Sequence, residues 1–189
     1  MNKTELKLQF EVLKTENKGI PVIIVAGGSS TRMGQNKQFI PLCGIPIVAR
    51  SLLAFETCAK VRDIIVVTKD ECIADIQRIC DEYNITKLTA IVEGGETRQQ
   101  SVENGIKAAA LDISYYAIHD GARPFVDKRI ILECIESVNN FGSAITAYPS
   151  RDTVIRGEDG VITEYLGKND LYSVQTPQAF FVNDIKRAY

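Results

Sequence analysis

From Pro21 onward the chain alternates between short, almost unbroken apolar runs and longer segments in which apolar residues recur every three or four positions. The apolar runs are Val22–Ala26, Asp63–Thr68, Leu88–Val92, Tyr115–His119 and Ser143–Tyr148. Their length and β-branched content predict strands, and their near-continuous hydrophobicity predicts burial on both faces of a parallel sheet. Between them, Ile47–Ala59, Cys72–Tyr83, Gln99–Leu111 and Lys128–Asn139 carry helical spacing. In the first of these, Ile47, Val48, Ser51, Leu52 and Phe55 form one stripe. Strand–helix–strand alternation at this length predicts right-handed βαβ units, hence an α/β, Rossmann-like, doubly wound and mainly parallel sheet. Ligands of such sheets lie beyond the carboxyl ends of the strands. That rule directs attention to the loops after Ala26, Val92 and Ile118.

Two stretches break the alternation. Residues 1–20 form an N-terminal extension ahead of a domain at 21–189; within it Leu6, Phe10 and Leu13 would share one side of a helix. Later, Thr153–Ile155 and Val161–Tyr165 flank a turn at Gly157–Gly160, which predicts a β-hairpin arm over about residues 150–172.

Composition narrows the chemistry. A formal net charge of −2 gives no general attraction to nucleic acid or to an anionic membrane, so phosphate must be held by local cations and backbone N–H groups. No apolar run approaches the roughly 18 residues of a membrane span. The polar N-terminus lacks the apolar stretch of a signal peptide. The five cysteines include no CxxC pair and predict buried thiols in a reducing compartment. The expected location is the cytoplasm. A single histidine, His119, excludes a multi-histidine metal site.

Three loops carry candidate chemistry. The first, AGGSSTRMGQNKQ (residues 26–38), follows the first strand. Ala26, Gly27 and Gly28 permit close backbone approach to phosphate, Ser29, Ser30 and Thr31 add hydroxyl donors, and Arg32 and Lys37 add positive charge. It lacks the spacing of either a Walker A loop or a dinucleotide fingerprint. Its pattern AGG-x3-R-M-G-x3-K-Q resembles the signature loop of small nucleotidyltransferases that activate a phosphorylated sugar or polyol with an NTP. The resemblance assigns Arg32 and Lys37 to stabilising the transition state at the α-phosphate. The second loop, EGGETRQQSV (residues 93–102), offers Gly94 and Gly95 as a turn and Thr97 as an N-cap, with Arg98 and Ser101 on the first helical turns. It resembles the cytidylyltransferase motif GG-x2-R-x2-SV, which implies that Gly94, Gly95, Arg98 and Ser101 contact cytosine and ribose.

The third loop ends the fourth strand in HDGARPFV (residues 119–126). A carboxylate at a buried strand tip calls for a partner. Asp120 can meet a ribose or help hold Mg²⁺, and Arg123 can pair with Asp120 or with a phosphate. A phosphate nucleophile is already anionic and needs no base, so His119 is expected to be structural. HDGARPF, together with the first two loops, resembles the 2-C-methyl-D-erythritol 4-phosphate cytidylyltransferases of the non-mevalonate isoprenoid pathway. The resemblance runs from Val22 to residue 189 and implies CTP and a polyol phosphate as substrates, Mg²⁺ as cofactor, and a homodimer joined by the hairpin arm. It assigns acceptor positioning to Thr153 and to Lys168, which stands where the family usually has an arginine. Family members also continue into a TDD-like segment and a final strand with another acceptor-positioning lysine, which these 189 residues do not contain. Two other readings remain: a ribitol 5-phosphate cytidylyltransferase, against which GAR and SRDT weigh, and a non-catalytic CTP-binding protein.

Overall fold

In the computed structural model the described residues are 19–28, 36–109 and 113–188. Arg32, Ser29, Ser30, Thr31 and the expected helix before Gly19 lie outside them. The elements are β1 (Ile20–Val25), β2 (Pro41–Leu42), β3 (Ile45–Pro46), α1 (Ile47–Glu56), β4 (Val61–Thr68), α2 (Ile73–Glu82), β5 (Leu88–Glu93) and α3 (Arg98–Ala108). There follow β6 (Tyr115–Asp120), α4 (Lys128–Phe141), β7 (Ser143–Pro149), β8 (Ile155–Glu158), β9 (Val161–Tyr165), β10 (Tyr172–Phe181) and α5 (Val182–Ala188).

Six strands form one sheet in the order β5-β4-β1-β6-β10-β7. The chain winds outward from β1 through β4 to β5, then crosses back to lay β6 on the other side of β1. The switch point of the sheet therefore falls between β1 and β6, where Val25 pairs with Asp120. β1, β4 and β6 are parallel, and β10 runs antiparallel to both β6 and β7.

Alternation along the central strands sorts the core into two layers. Val22, Ile24, Ile64 and Val66 face Leu52 and Phe55 of α1, Ile76 and Ile79 of α2, and Ile131 and Val138 of α4. Ile23, Ile65, Val67 and Ile118 face Val102 and Ile106 of α3 and Val182 and Ile185 at the last helix. Both faces being covered accounts for the continuous apolar runs. The edge strands β5 and β7 are only partly buried, so the expectation of two covered faces holds at the centre of the sheet and fails at its margins.

All five strands and all four helices expected from the pattern occur, with ends shifted by at most three residues. β10 is the addition to the main sheet, and the short β2–β3 pair and α5 also go beyond the expected elements. The first half of β10 alternates, with Tyr172 and Val174 apolar and Ser173 and Gln175 polar, but Pro177 interrupts the run, and pairing to β6 and β7 makes the whole one strand. The hairpin forms as β8 and β9, with Asp159–Gly160 at its tip.

Candidate active site

The loops at the carboxyl ends of β1, β4, β5 and β6 converge on one cleft of about 1310 Å³. Gly27, Gly28 and Lys37 line it from the first loop, and Gly94, Gly95, Arg98 and Ser101 from the second. Asp120 and Ala122 come from the third. Their convergence follows from parallel strands, which deliver every carboxyl end to the same side. Backbone bonds continue the ladder into the turns: Ala26 N donates to Val67 O at 2.7 Å, Gly94 N to Thr68 O at 2.7 Å, and Gly121 N to Val25 O at 2.9 Å. The glycine turns thus start from fixed positions.

The wall from β4 was missed by the sequence reading. Lys69, Asp70 and Glu71 line the cleft, although the rule that selected the other three loops applies equally to the strand ending at Thr68.

Lys37 opens a short 3-10 turn, Lys37–Phe39, capped by Asn36, whose side chain accepts from Gln38 N at 3.1 Å. Gln38 is buried beneath it, so the turn is anchored while Lys37 reaches the cleft.

The second loop is held by side chains that also head α3. Thr97 caps the helix as expected: its hydroxyl accepts from Gln100 N at 3.1 Å, and Gln100 Oε1 accepts from Thr97 N at 3.0 Å. Ser101 Oγ accepts from Gly95 N at 3.1 Å and donates to Thr97 O at 3.0 Å. Its hydroxyl shapes the glycine turn from within. A Cβ on Gly94 would fall 2.9 Å from that hydroxyl, and one on Gly95 would fall 2.3 Å from Gln100 Cβ, so neither position admits a side chain as the turn stands.

Asp120 joins the second and third loops. Its Oδ1 accepts from Arg98 Nη2 at 3.1 Å and its Oδ2 from Arg123 Nε at 2.9 Å. Burial by itself would raise its pKa, but the bonds and charges of Arg123 and Arg98 outweigh burial and hold the carboxyl below its ordinary value. Arg123 also donates through Nη1 to Gln175 Oε1. Its side chain faces a neighbouring groove of about 890 Å³ between α4 and β7, which adjoins the cleft at Ala122. Arg123 therefore lines the neighbouring groove and reaches the cleft only through its bond to Asp120.

Thr153 lies exposed ahead of β8 and lines neither cavity; Lys168 falls in a short turn after β9. Among the described residues no group of three or more His, Cys, Asp or Glu side chains could hold a metal ion, and no helix is long and apolar enough to cross a membrane.

A mainly parallel α/β sheet with a cation-bearing cleft at its switch point is the architecture of nucleotide-binding proteins. Comparison with known proteins narrows the class. A family model described as 2-C-methyl-D-erythritol 4-phosphate cytidylyltransferase (IspD) matches residues 20–189. A protein of that description from Dehalococcoides mccartyi is 39% identical over 175 residues, spanning 92% of this chain and 77% of that protein. One from Alkaliphilus oremlandii is 42% identical over 172 residues, spanning 89% and 73%. Among solved structures, 4-diphosphocytidyl-2C-methyl-D-erythritol synthase from Anaerococcus prevotii superposes with a TM-score of 0.81 at 28% identity, covering 92% of this chain and 76% of that one. The chain belongs to the 2-C-methyl-D-erythritol 4-phosphate cytidylyltransferase family.

Proposed function

We infer that this protein transfers the cytidylyl group of CTP to 2-C-methyl-D-erythritol 4-phosphate, giving 4-diphosphocytidyl-2-C-methyl-D-erythritol and pyrophosphate. Family membership supports the reaction. The observation in the structure that carries the reading is the meeting of Lys37, Arg98 and Asp120, from three separate loops, in one cleft at the switch point.

An oxygen of the acceptor phosphate attacks the α-phosphorus of CTP while the bond to the β-phosphate oxygen breaks and pyrophosphate leaves on the opposite side. The nucleophile is already ionised, so the protein supplies position and charge stabilisation. Lys37, with Arg32, is proposed to stabilise the charge on the phosphates as it moves to the leaving group. Ala26, Gly27 and Gly28 would lie along the phosphates and ribose, and the Gly94–Gly95 turn with Arg98 and Ser101 along the base.

Mg²⁺ is proposed to arrive on the triphosphate, as it does in many phosphoryl-transfer sites. Asp120 does not fit the part of a ready ligand, since each oxygen already accepts from a guanidinium.

A homodimer through the hairpin arm is the matching proposal for the acceptor side. β8 and β9 are exposed along their whole length, with Ile155, Val161, Ile162 and Tyr165 open to solvent, and Thr153 and Lys168 lie at its base. An apolar arm of that kind supports docking on a second copy. A cytoplasmic location accords with five unpaired cysteines.

The test is pyrophosphate release from CTP and Mg²⁺ with 2-C-methyl-D-erythritol 4-phosphate and, separately, with ribitol 5-phosphate. Release with the first acceptor alone is the expected result. Release with ribitol 5-phosphate alone, or CTP binding without release for either, would overturn the assignment.

A further inference from the structure

His119 is fully buried in the centre of the sheet, with its ring centroid 4.9 Å from that of Phe55. Neither ring nitrogen is open to the cleft. Nδ1 lies 3.0 Å from Thr176 Oγ1, and Nε2 lies 3.2 Å from the carbonyl oxygen of Arg123. Thr176 Oγ1 also accepts from Asp120 N at 3.1 Å. The hydrogen-bond network assigns the tautomer. A carbonyl oxygen can only accept, so Nε2 must donate to Arg123 O. In the neutral ring Nδ1 is then an acceptor, and Thr176 Oγ1, which accepts from Asp120 N, directs its single hydrogen at it. The ring proton therefore sits on Nε2. One arrangement of hydrogens satisfies every group.

Thr176 reaches this place because β10 loses its register with β7 between Val174 and Gln178. The break frees Gln175 and Thr176 from the ladder, and bulges of this kind re-aim side chains next to active sites. Gln175 receives Arg123 Nη1, while Thr176 receives the backbone of Asp120. The turn between Asp120 and Arg123, closed by Arg123 N donating to Asp120 O at 3.0 Å, is thus tied at both ends to one strand.

We propose that His119 is a positioning residue for cytidylyl transfer: its two ring nitrogens link Thr176 of β10 to the backbone of Arg123 and so fix the turn that carries Asp120 and Arg123. This rests on the functional reading given above. His119 does not exchange protons with substrate, because both nitrogens are engaged away from the cleft. Burial is the main reason that its pKa falls to about 4, so the relay keeps one hydrogen arrangement throughout the neutral range. Its contribution is geometric, and displacement of a reacting group by an ångström costs on the order of 10²-fold in rate.

The experiment measures kcat and KM for CTP and for the acceptor, with melting temperature, in His119→Phe, in His119→Gln, and in each of them combined with Asp120→Ala and Arg123→Ala. His119→Phe removes both bonds at similar ring volume; His119→Gln keeps a donor towards Arg123 and is the second variant should the phenylalanine one fail to fold. The expected result is a kcat about 10–100-fold lower in His119→Phe with KM for CTP within about twofold, and partial recovery in His119→Gln. In a background that lacks both side chains carried by the turn, Asp120→Ala with Arg123→Ala, the same replacements should change kcat by less than about threefold, because the groups being positioned are gone. An unchanged kcat, or a loss of the same size in both backgrounds, overturns the proposal. Failure of the unmutated protein to release pyrophosphate removes the functional reading and this proposal with it, whereas an active unmutated protein with unaffected variants removes the proposal alone.

Discussion

Arg98 and Asp120 meet across the cleft from two loops, with Arg98 Nη2 3.1 Å from Asp120 Oδ1, and this pair joins the second loop to the third. Arg123 holds the opposite oxygen of the same carboxylate at 2.9 Å. The carboxylate is thereby ionised and oriented before any ligand arrives, and the two loops share one electrostatic joint.

Replacing Asp120 by Asn should destabilise the protein at neutral pH, since it leaves two arginines without their counter-charge. The folded-state pKa is depressed, so the stabilisation is complete above the ordinary carboxylate value near 3.9 and disappears as pH falls through the lower folded value. Melting temperatures of the two proteins should therefore differ at pH 7 and converge in strong acid. A gap that persists undiminished at pH 2 would assign the effect to packing.

His119 allows an unusually clean linkage measurement, because the chain has one histidine. Its pKa is lowered from 6.5 to about 4, mainly by burial; the Arg123 carbonyl and Asp120 oppose that shift and the Arg123 charge adds to it. The unfolded chain binds a proton there below pH 6.5 while the folded one does not. Stability should thus be unaffected above pH 6.5 and fall as pH drops from 6.5 towards 4, with a slope approaching about 1.4 kcal/mol per pH unit. Denaturant titrations between pH 5 and 7 test this, and His119→Gln should flatten the curve.

Lys37→Ala and Arg32→Ala should each lower turnover on the order of 10²–10³-fold, the usual effect of removing a charge-stabilising group from the transition state. Single-turnover pyrophosphate release measures it. Unchanged turnover in either variant would contradict the assigned role.

Thr97→Ala should cost about 1 kcal/mol by removing the capping box that starts α3, and should weaken CTP binding because Arg98 is the first residue of that helix. Chemical denaturation and calorimetric titration with CTP separate the two effects.

Gly105 is where α3 rests on the sheet: a Cβ there would fall 2.5 Å from Ile23 Cγ2 and 3.0 Å from Val67 Cγ2. Gly105→Ala should destabilise by about 1–3 kcal/mol through overpacking. A variant as stable as the parent would show that α3 can shift outward freely.

The amino-acid pattern determined five strands of the main sheet, the four longer helices and the hairpin arm, whose identity depends on neighbours in the chain, though not the short β2–β3 pair or α5. Buried central strands read as continuous apolar runs, Thr97 announced its helix, and parallel strands guaranteed that the loops after Ala26, Val92 and Ile118 would face the same way. Tertiary structure alone decided what depends on partners distant in sequence. β10 is one strand across Pro177 because β6 and β7 offer it hydrogen bonds on both sides, which a run broken by proline could not announce. Ser101 turned out to brace the Gly94–Gly95 turn, and Arg123 to face the adjoining groove, because side-chain direction follows the local turn and not its spacing in the motif. The bonds from His119 to Thr176 and from Arg98 to Asp120 span 57 and 22 residues. Periodicity reports which face of an element is buried, whereas the identity of the residue waiting on the other side is set only when the sheet closes.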